Sequence, residues 1–327
     1  MTRAYRLKQR GAAILAAMLT VTLVATFAAA ALWQQYRSVE VEAAERTRVQ
    51  AGWILTGMLD WARLILSEDA KSGGADHLAE PWSVPLQEAR LSTFLAQDRN
   101  NSADPVADNA FLSGQIIDRQ SLLNINNLVE AGRLSESGLR SFQRLFEILG
   151  LPQQQLNRMA ENLRFASDIS TDNRSSSQAP LAPQKVEQLV WLGLPVQTVA
   201  VLEPYVTVLP ARTPVNLNTA SAEVIAAAVN GIGLADAQRL VAERDRAYFR
   251  TVQDAGKLLP GHEAAFGEGT VGVASRFFEV RGRLRIDNAM VEERAVLQRD
   301  NLTVTVLSRE RGAVDPTALT QAAAVRR

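Results

Sequence analysis

Cysteine is absent from the 327 residues, which excludes disulfides, thiolate zinc sites, iron–sulfur clusters and a cysteine nucleophile. Histidine is almost absent too: His77 and His262 are the only two and lie far apart in sequence. Neither the zincin helix motif nor a Gly-x-Ser-x-Gly elbow occurs, so the residues for two common hydrolytic chemistries are missing. An excess of charge is also missing, since Lys+Arg and Asp+Glu are each 35. A neutral chain has no global field to gather nucleic acid or anionic lipid. Lysine is confined to Lys8, Lys71, Lys185 and Lys257, so arginine carries nearly all the positive charge. Glycine and proline do not occur from Ala12 to Ala51, and nothing there interrupts a helix.

What is present begins with a basic leader, Arg3, Arg6, Lys8 and Arg10, ending at Gly11. The run Ala12 to Trp33 follows, apolar except for Thr20, Thr22 and Thr26, and about the length of one bilayer crossing. Three fates are open at this junction: a signal peptide cleaved near Ala28 or Ala30, an uncleaved anchor, or a leader clipped after Gly11. Beyond Trp33 the sequence turns amphipathic, with Val39, Val41, Val49, Trp53, Ile54, Met58, Trp61, Ile65 and Leu66 at steps of three and four. One helix from Ala12 to Leu66 is the expectation. A signal peptide has no reason to continue as a helix past its cleavage site, which favours the clipped leader.

The hydrophobic content of 47% and the length suffice for about two domains. Residues 68–110 are polar and turn-rich, and His77, beside Pro81 and Trp82, reads as a packing residue. A short strand is expected through Ile116 and Ile117, then helical material from Leu122 to Gly261. That stretch repeats itself. Leu123-Asn124-Ile125-Asn126 resembles Val215-Asn216-Leu217-Asn218, and each precedes a helix–turn–helix-like segment. Asparagine at such points suits a turn or helix cap. Ser170 to Gln184 reads as a mobile loop. Phe278, Val280, Leu284 and Ile286 alternate with charged residues across 277–287, the pattern of a strand. Further strands near Arg294–Arg299 and Leu302–Val306 would complete a small antiparallel sheet with one polar face. The tail 313–327 has no periodicity and is expected to be disordered.

Val215 to Gly261 looks like a helix-hairpin-helix module around Gly231-Ile232-Gly233. Its cations (Arg239, Arg244, Arg246, Arg250, Lys257) equal its anions (Glu223, Asp236, Glu243, Asp245, Asp254), whereas a phosphate-binding surface needs a local cation excess. Gly267 to Gly272 matches a dinucleotide pattern by letter, yet it follows no strand and reads as a loop. Asp168 and Asp172 are the candidate carboxylate ligands for Ca²⁺.

Taken together, Arg6–Gly11 with the apolar helix, His77–Trp82, the two Asn-x-Asn units, the hairpin and the Phe277–Ile286 strand resemble the K-type minor pseudopilins of the type II (general) secretion pathway. The resemblance covers nearly the whole chain. It implies an α+β, pilin-like fold: a long N-terminal helix on a small antiparallel sheet, with a large inserted all-α domain of two SAM-like or helix-hairpin-helix-like units. The implied division is a prepilin leader (1–11), a transmembrane and amphipathic helix (12–70), a pilin-like domain (71–118 and 275–312), the helical insert (119–274) and the tail (313–327). Prepilin peptidase would cut between Gly11 and Ala12, and Ala12 would be N-methylated. Ala16 stands where most pilin-like helices carry a glutamate that pairs with a neighbour's amino terminus. The family's calcium site is thinned: Asp168 matches, while Ser170 and Ser175 to Ser177 stand where further carboxylates are expected.

The function so implied is non-enzymatic: an inner-membrane, single-pass, periplasmic subunit at the tip or initiation complex of the pseudopilus that serves protein export. Its partners would be the I and J minor pseudopilins, the major pseudopilin, prepilin peptidase and the inner-membrane secretion platform. Two rivals are a membrane-anchored helix-hairpin-helix protein that binds DNA, and a signal-peptide-exported enzyme.

Overall fold

A computed structural model describes residues 10–95, 109–167, 179–267, 269–286 and 289–313. The chain forms two units, the first ending at Ile54 and the second beginning at Leu55. It is a mixed helix-and-sheet protein with a long N-terminal helix and a small antiparallel sheet. Helix α1 spans Arg10–Ser72, longer at both ends than the sequence pattern indicates. It ends where Gly73 and Gly74 take positive φ, a conformation that favours glycine.

In the second unit, β1 (Leu86–Arg90), β2 (Ala110–Asp118), β3 (Phe277–Ile286), β4 (Ala289–Asp300) and β5 (Thr303–Ala313) form one sheet in that order, every pair antiparallel. The chain thus leaves the sheet after Asp118 and rejoins it at Phe277. Gly114 and Gly282 face each other in the β2–β3 register, and Met58 of α1 packs over both. A Cβ on Gly282 would sit 2.1 Å from Met58 and 3.5 Å from Leu55. The glycine pair therefore lets the helix approach the sheet closely. Leu55, Met58, Leu59, Ala62 and Leu66 are buried on that side of α1, with Phe278, Val280 and Leu284 buried in β3. Each large apolar side chain so buried is worth about 1.5–3 kcal/mol. Arg63 and Ser67 of α1 donate to the carbonyls of Val304 and Leu302 at 3.0 and 2.9 Å, tying the helix to β5.

The expectation of one polar face needs correction. Glu279 and Glu292 on one face and Glu293 on the helix-facing side are all buried. Glu279 is flanked by Arg119 and Arg281, Glu292 by Arg283 and Arg294, and Glu293 by Arg309 and Arg311. Arginine stems cover apolar surface while their heads satisfy the carboxylates. The same pairing carries β5 on to Ala313, beyond the expected end at Val306. Residues 314–327 lie outside the described residues.

Between the sheet strands come α2 (Glu136–Ile148), α3 (Gln153–Ala166), α4 (Val196–Leu202), α5 (Ala222–Ala228), α6 (Leu234–Arg246) and α7 (Val252–Gly256). Ser135 and Ser221 cap α2 and α5 by accepting from Gly138 N and Val224 N. Gly150 and Gly231 turn the chain with positive φ before the next helix. Gly138 packs so tightly that a Cβ there would lie 2.1 Å from the Asn127 carbonyl. The helices enclose one apolar cluster that includes Phe142, Leu145, Leu156, Leu189, Val224, Ile225 and Leu240. The stretch is not purely helical. Leu123–Asn124 pairs in parallel with Val206–Thr207, and Val215–Asn216 with Val271–Gly272. The second bridge places the end of the glycine-rich 267–272 segment in a two-residue strand, where the sequence suggested only a loop; the Leu217 amide donates to the Gly272 carbonyl at 2.9 Å.

Candidate functional site

The first unit offers one chemistry. From Ala12 to Tyr36 every residue of α1 is exposed, and no charged residue occurs between Gly11 and Tyr36. The Thr20, Thr22 and Thr26 hydroxyls donate to main-chain carbonyls three or four residues back, at 2.8–3.0 Å. Such a surface has its polar groups satisfied internally and suits lipid or another apolar helix. Gly11 and Ala12 both lie within α1. Ala16, also exposed, brings no carboxylate into this apolar stretch.

In the second unit the polar chemistry gathers where the helical stretch meets the sheet. Asp118, the last residue of β2, is buried and accepts from Thr219 Oγ1 and Ser275 Oγ at 2.6 Å, Asn216 Nδ2 at 3.0 Å and Gln120 N at 2.7 Å. Asn216 Nδ2 also reaches Ser275 Oγ at 2.9 Å and the Asp76 carbonyl at 3.1 Å. Burial pushes the Asp118 carboxyl above its ordinary range, against the pull of its hydroxyl and amide donors. One carboxylate therefore holds the exit from the sheet, the second helical unit and the return strand together.

Next to it, Arg299 of β4 bridges Asp69 of α1 (2.7 Å) and Asp76, and donates to the Ser275 carbonyl at 2.8 Å. Asp76 also accepts from Ser275 N at 2.6 Å. Burial raises the Asp76 carboxyl, while Arg299 opposes the shift. Glu80 completes a trio of carboxylates whose oxygens lie within 4.8 Å of one another. It accepts from His77 N at 2.8 Å and Trp82 Nε1 at 2.7 Å, and burial, the main cause, pushes its carboxyl up to about 7. With the guanidinium already seated on two of the three, the trio is a structural fastening. His77 stacks on Tyr248 with ring centres 3.7 Å apart, packing as its sequence context indicates, and Trp82 meets Phe278 edge-on at 5.3 Å.

The hairpin segment presents no phosphate cradle. Arg244 points inward to the Leu217 and Ala220 carbonyls. Arg239, Arg246 and Lys257 pair with Asp236, Glu243 and Asp254. Four of the segment's five cations are thus engaged, and Arg250 is exposed, which leaves little local excess to offer nucleic acid. Asp168 and Asp172 lie outside the described residues, as does most of the Ser170–Gln184 loop. Asp76, Asp118, Ser275 and Arg299 escaped sequence reasoning; the Asn216 turn was the one nearby signal.

Family models agree with this layout. Residues 121–211 and 215–274 match two models described as type II secretion system protein K. Two relatives bear that name: one from Pseudomonas aeruginosa, 25% identical with 93% of each chain covered, and one from Pectobacterium carotovorum, 25% identical with 94% of this chain and 98% of the relative covered. The chain is thus similar to type II secretion system protein K along nearly its whole length. Its role is that of a minor pseudopilin, a structural component of that system. Its fold is similar to a chain in the crystal structure of the GspK–GspI–GspJ complex from enterotoxigenic Escherichia coli. The TM-score is 0.64 at 19% identity, covering 82% of this chain and 98% of that one.

Proposed function

We propose that this protein stands at the tip or initiation complex of a periplasmic pseudopilus, held in the inner membrane by α1 until it is taken into the assembly. The observation that carries this reading is the exposed, uncharged stretch Ala12–Tyr36, with Ala16 at the fifth position after the Gly11–Ala12 junction. A repeating pilin subunit uses a glutamate at that position to pair with a neighbour's amino terminus. An alanine makes no such pair and suits an end position. Prepilin peptidase cuts between Gly11 and Ala12, and the new amino terminus is methylated. Residues 71–118 and 275–312 form the pilin-like part, and residues 119–274 form an insert that presents the outward surface. The complex named for the E. coli structure supplies the expected first partners, the I and J pseudopilins. The major pseudopilin and the inner-membrane platform follow from the same role. Mass spectrometry of the mature amino terminus tests the reading: a methylated Ala12 start is expected, and a start near Ala31 would sink it.

A further inference from the structure

The apolar part of α1 is longer than a bilayer needs, so something must choose its depth. The 26 residues from Gly11 to Tyr36 carry no charge, and a helix of that length rises roughly 39 Å. A hydrocarbon core of about 30 Å leaves a surplus of roughly six residues over which the helix can slide. At the far end of the stretch, Trp33, Tyr36, Arg37 and Glu40 follow one another at helical spacing and share one face. Trp33 and Tyr36 are 66% and 61% exposed. Two amphipathic rings followed by a cation and an acid match the headgroup layer, where rings sit at the interface and a guanidinium reaches lipid phosphate.

We propose that the Trp33–Tyr36–Arg37–Glu40 face binds the phospholipid headgroups of the outer leaflet, and so holds the Gly11–Ala12 peptide bond at the opposite membrane surface. The proposal rests on the reading of α1 as the anchor. Ala12 lies 21 residues before Trp33, about 32 Å along the helix, which matches the hydrocarbon thickness. Fixing the rings at one interface thus delivers the junction to the other, within reach of a membrane peptidase.

Because the chain has no cysteine, single cysteines report depth without background. The full, unprocessed chain is placed in phosphatidylethanolamine–phosphatidylglycerol vesicles without partner proteins. Leu32→Cys, Ser38→Cys and Val41→Cys are then labelled with a membrane-impermeant maleimide. In the otherwise native chain Leu32→Cys is protected, while Ser38→Cys and Val41→Cys react. Adding Trp33→Ala, Tyr36→Ala and Arg37→Ala lets the helix sink, and Ser38→Cys labelling falls several-fold. Equal Ser38→Cys labelling in the two backgrounds would overturn the proposal and would assign these side chains to a protein neighbour instead. Leu32→Cys reacting as freely as Val41→Cys would overturn the anchor reading itself. Prepilin peptidase added to the same vesicles cuts the triple variant several-fold more slowly. Unchanged cutting would overturn the link between the headgroup face and the junction.

Discussion

Asn124 and Asn216 open two stretches built to one plan, and they differ in what surrounds them. Each sits in a two-residue parallel bridge. Each side-chain oxygen accepts from the amide two residues on, at 3.1 and 3.0 Å. Each is followed by a serine-capped helix, a glycine turn and a second helix. The side-chain amides then diverge. Asn124 donates to the Ala211 carbonyl at 2.7 Å and to Thr213 Oγ1 at 3.3 Å, and its oxygen takes the Leu209 amide at 3.1 Å. It closes its own unit. Asn216 turns instead to Asp118, Ser275 and the Asp76 carbonyl, and fastens its unit to the sheet. The local device is the same, and the neighbours decide what it does.

The difference can be broken by removing each side chain in turn. Asn216→Ala withdraws a donor from a buried carboxylate as well as breaking its own turn, and should destabilise by about 3 kcal/mol. Asn124→Ala strands only neutral groups (carbonyls, amides and the Thr213 hydroxyl) and should cost about 2 kcal/mol. Urea unfolding of the detergent-solubilised chain measures both. Combining Asn216→Ala with Asp118→Asn tests the cause: the two losses should couple rather than add, whereas Asn124→Ala should add to Asp118→Asn independently.

The second asparagines sharpen the comparison with smaller effects. Asn218 clamps Phe249 in both directions, donating to its carbonyl at 2.9 Å and accepting its amide at 2.8 Å, and is buried. Asn126 makes one side-chain donation, to the Leu209 carbonyl at 2.6 Å, and is only half-buried. Asn218→Ala should cost about 1.5 kcal/mol and Asn126→Ala about half that. Hydrogen exchange should show the Phe249 amide deprotected in the first variant. Equal losses in the two would mean that the units are energetically equivalent despite their different contacts.

The repeat was legible because its device is local: an asparagine, the amide two residues on and a capped helix all fall within a short window. Helix α1 was legible for a similar reason, since a long stretch without Gly or Pro leaves the helix uninterrupted. The junction was not. Asp118 finds Asn216 across 98 residues and Ser275 across 157, and Arg299 finds Asp76 across 223. No periodicity carries pairings of that span. The sheet's alternation was visible in β3, yet the burial of Glu279, Glu292 and Glu293 was not, because a charged residue in a strand signals solvent unless the arginines that flank it in space are known. The end of β5 was missed through the same ignorance of Arg309 and Arg311.

A last test separates the two asparagine neighbourhoods by pH. The side-chain partners of Asn124 carry no titratable group, so the penalty for Asn124→Ala should not vary with pH. Around Asn216, Asp118 and Asp76 are both raised by burial, and Glu80, close to Asp76, lies at about 7 against an ordinary 4.5. A carboxyl raised in the folded state holds its proton more tightly there than in the unfolded chain. Its contribution to stability is therefore full below the unfolded value and is lost as pH rises through the folded one. For Glu80 that window runs from about 4.5 to about 7. Glu80→Gln keeps an acceptor for Trp82 Nε1 and His77 N but no longer titrates, so its stability should fall less steeply than that of the native chain across the window. Parallel curves for the two would show that Glu80 is ionised throughout, stabilised by donors strongly enough to offset its burial.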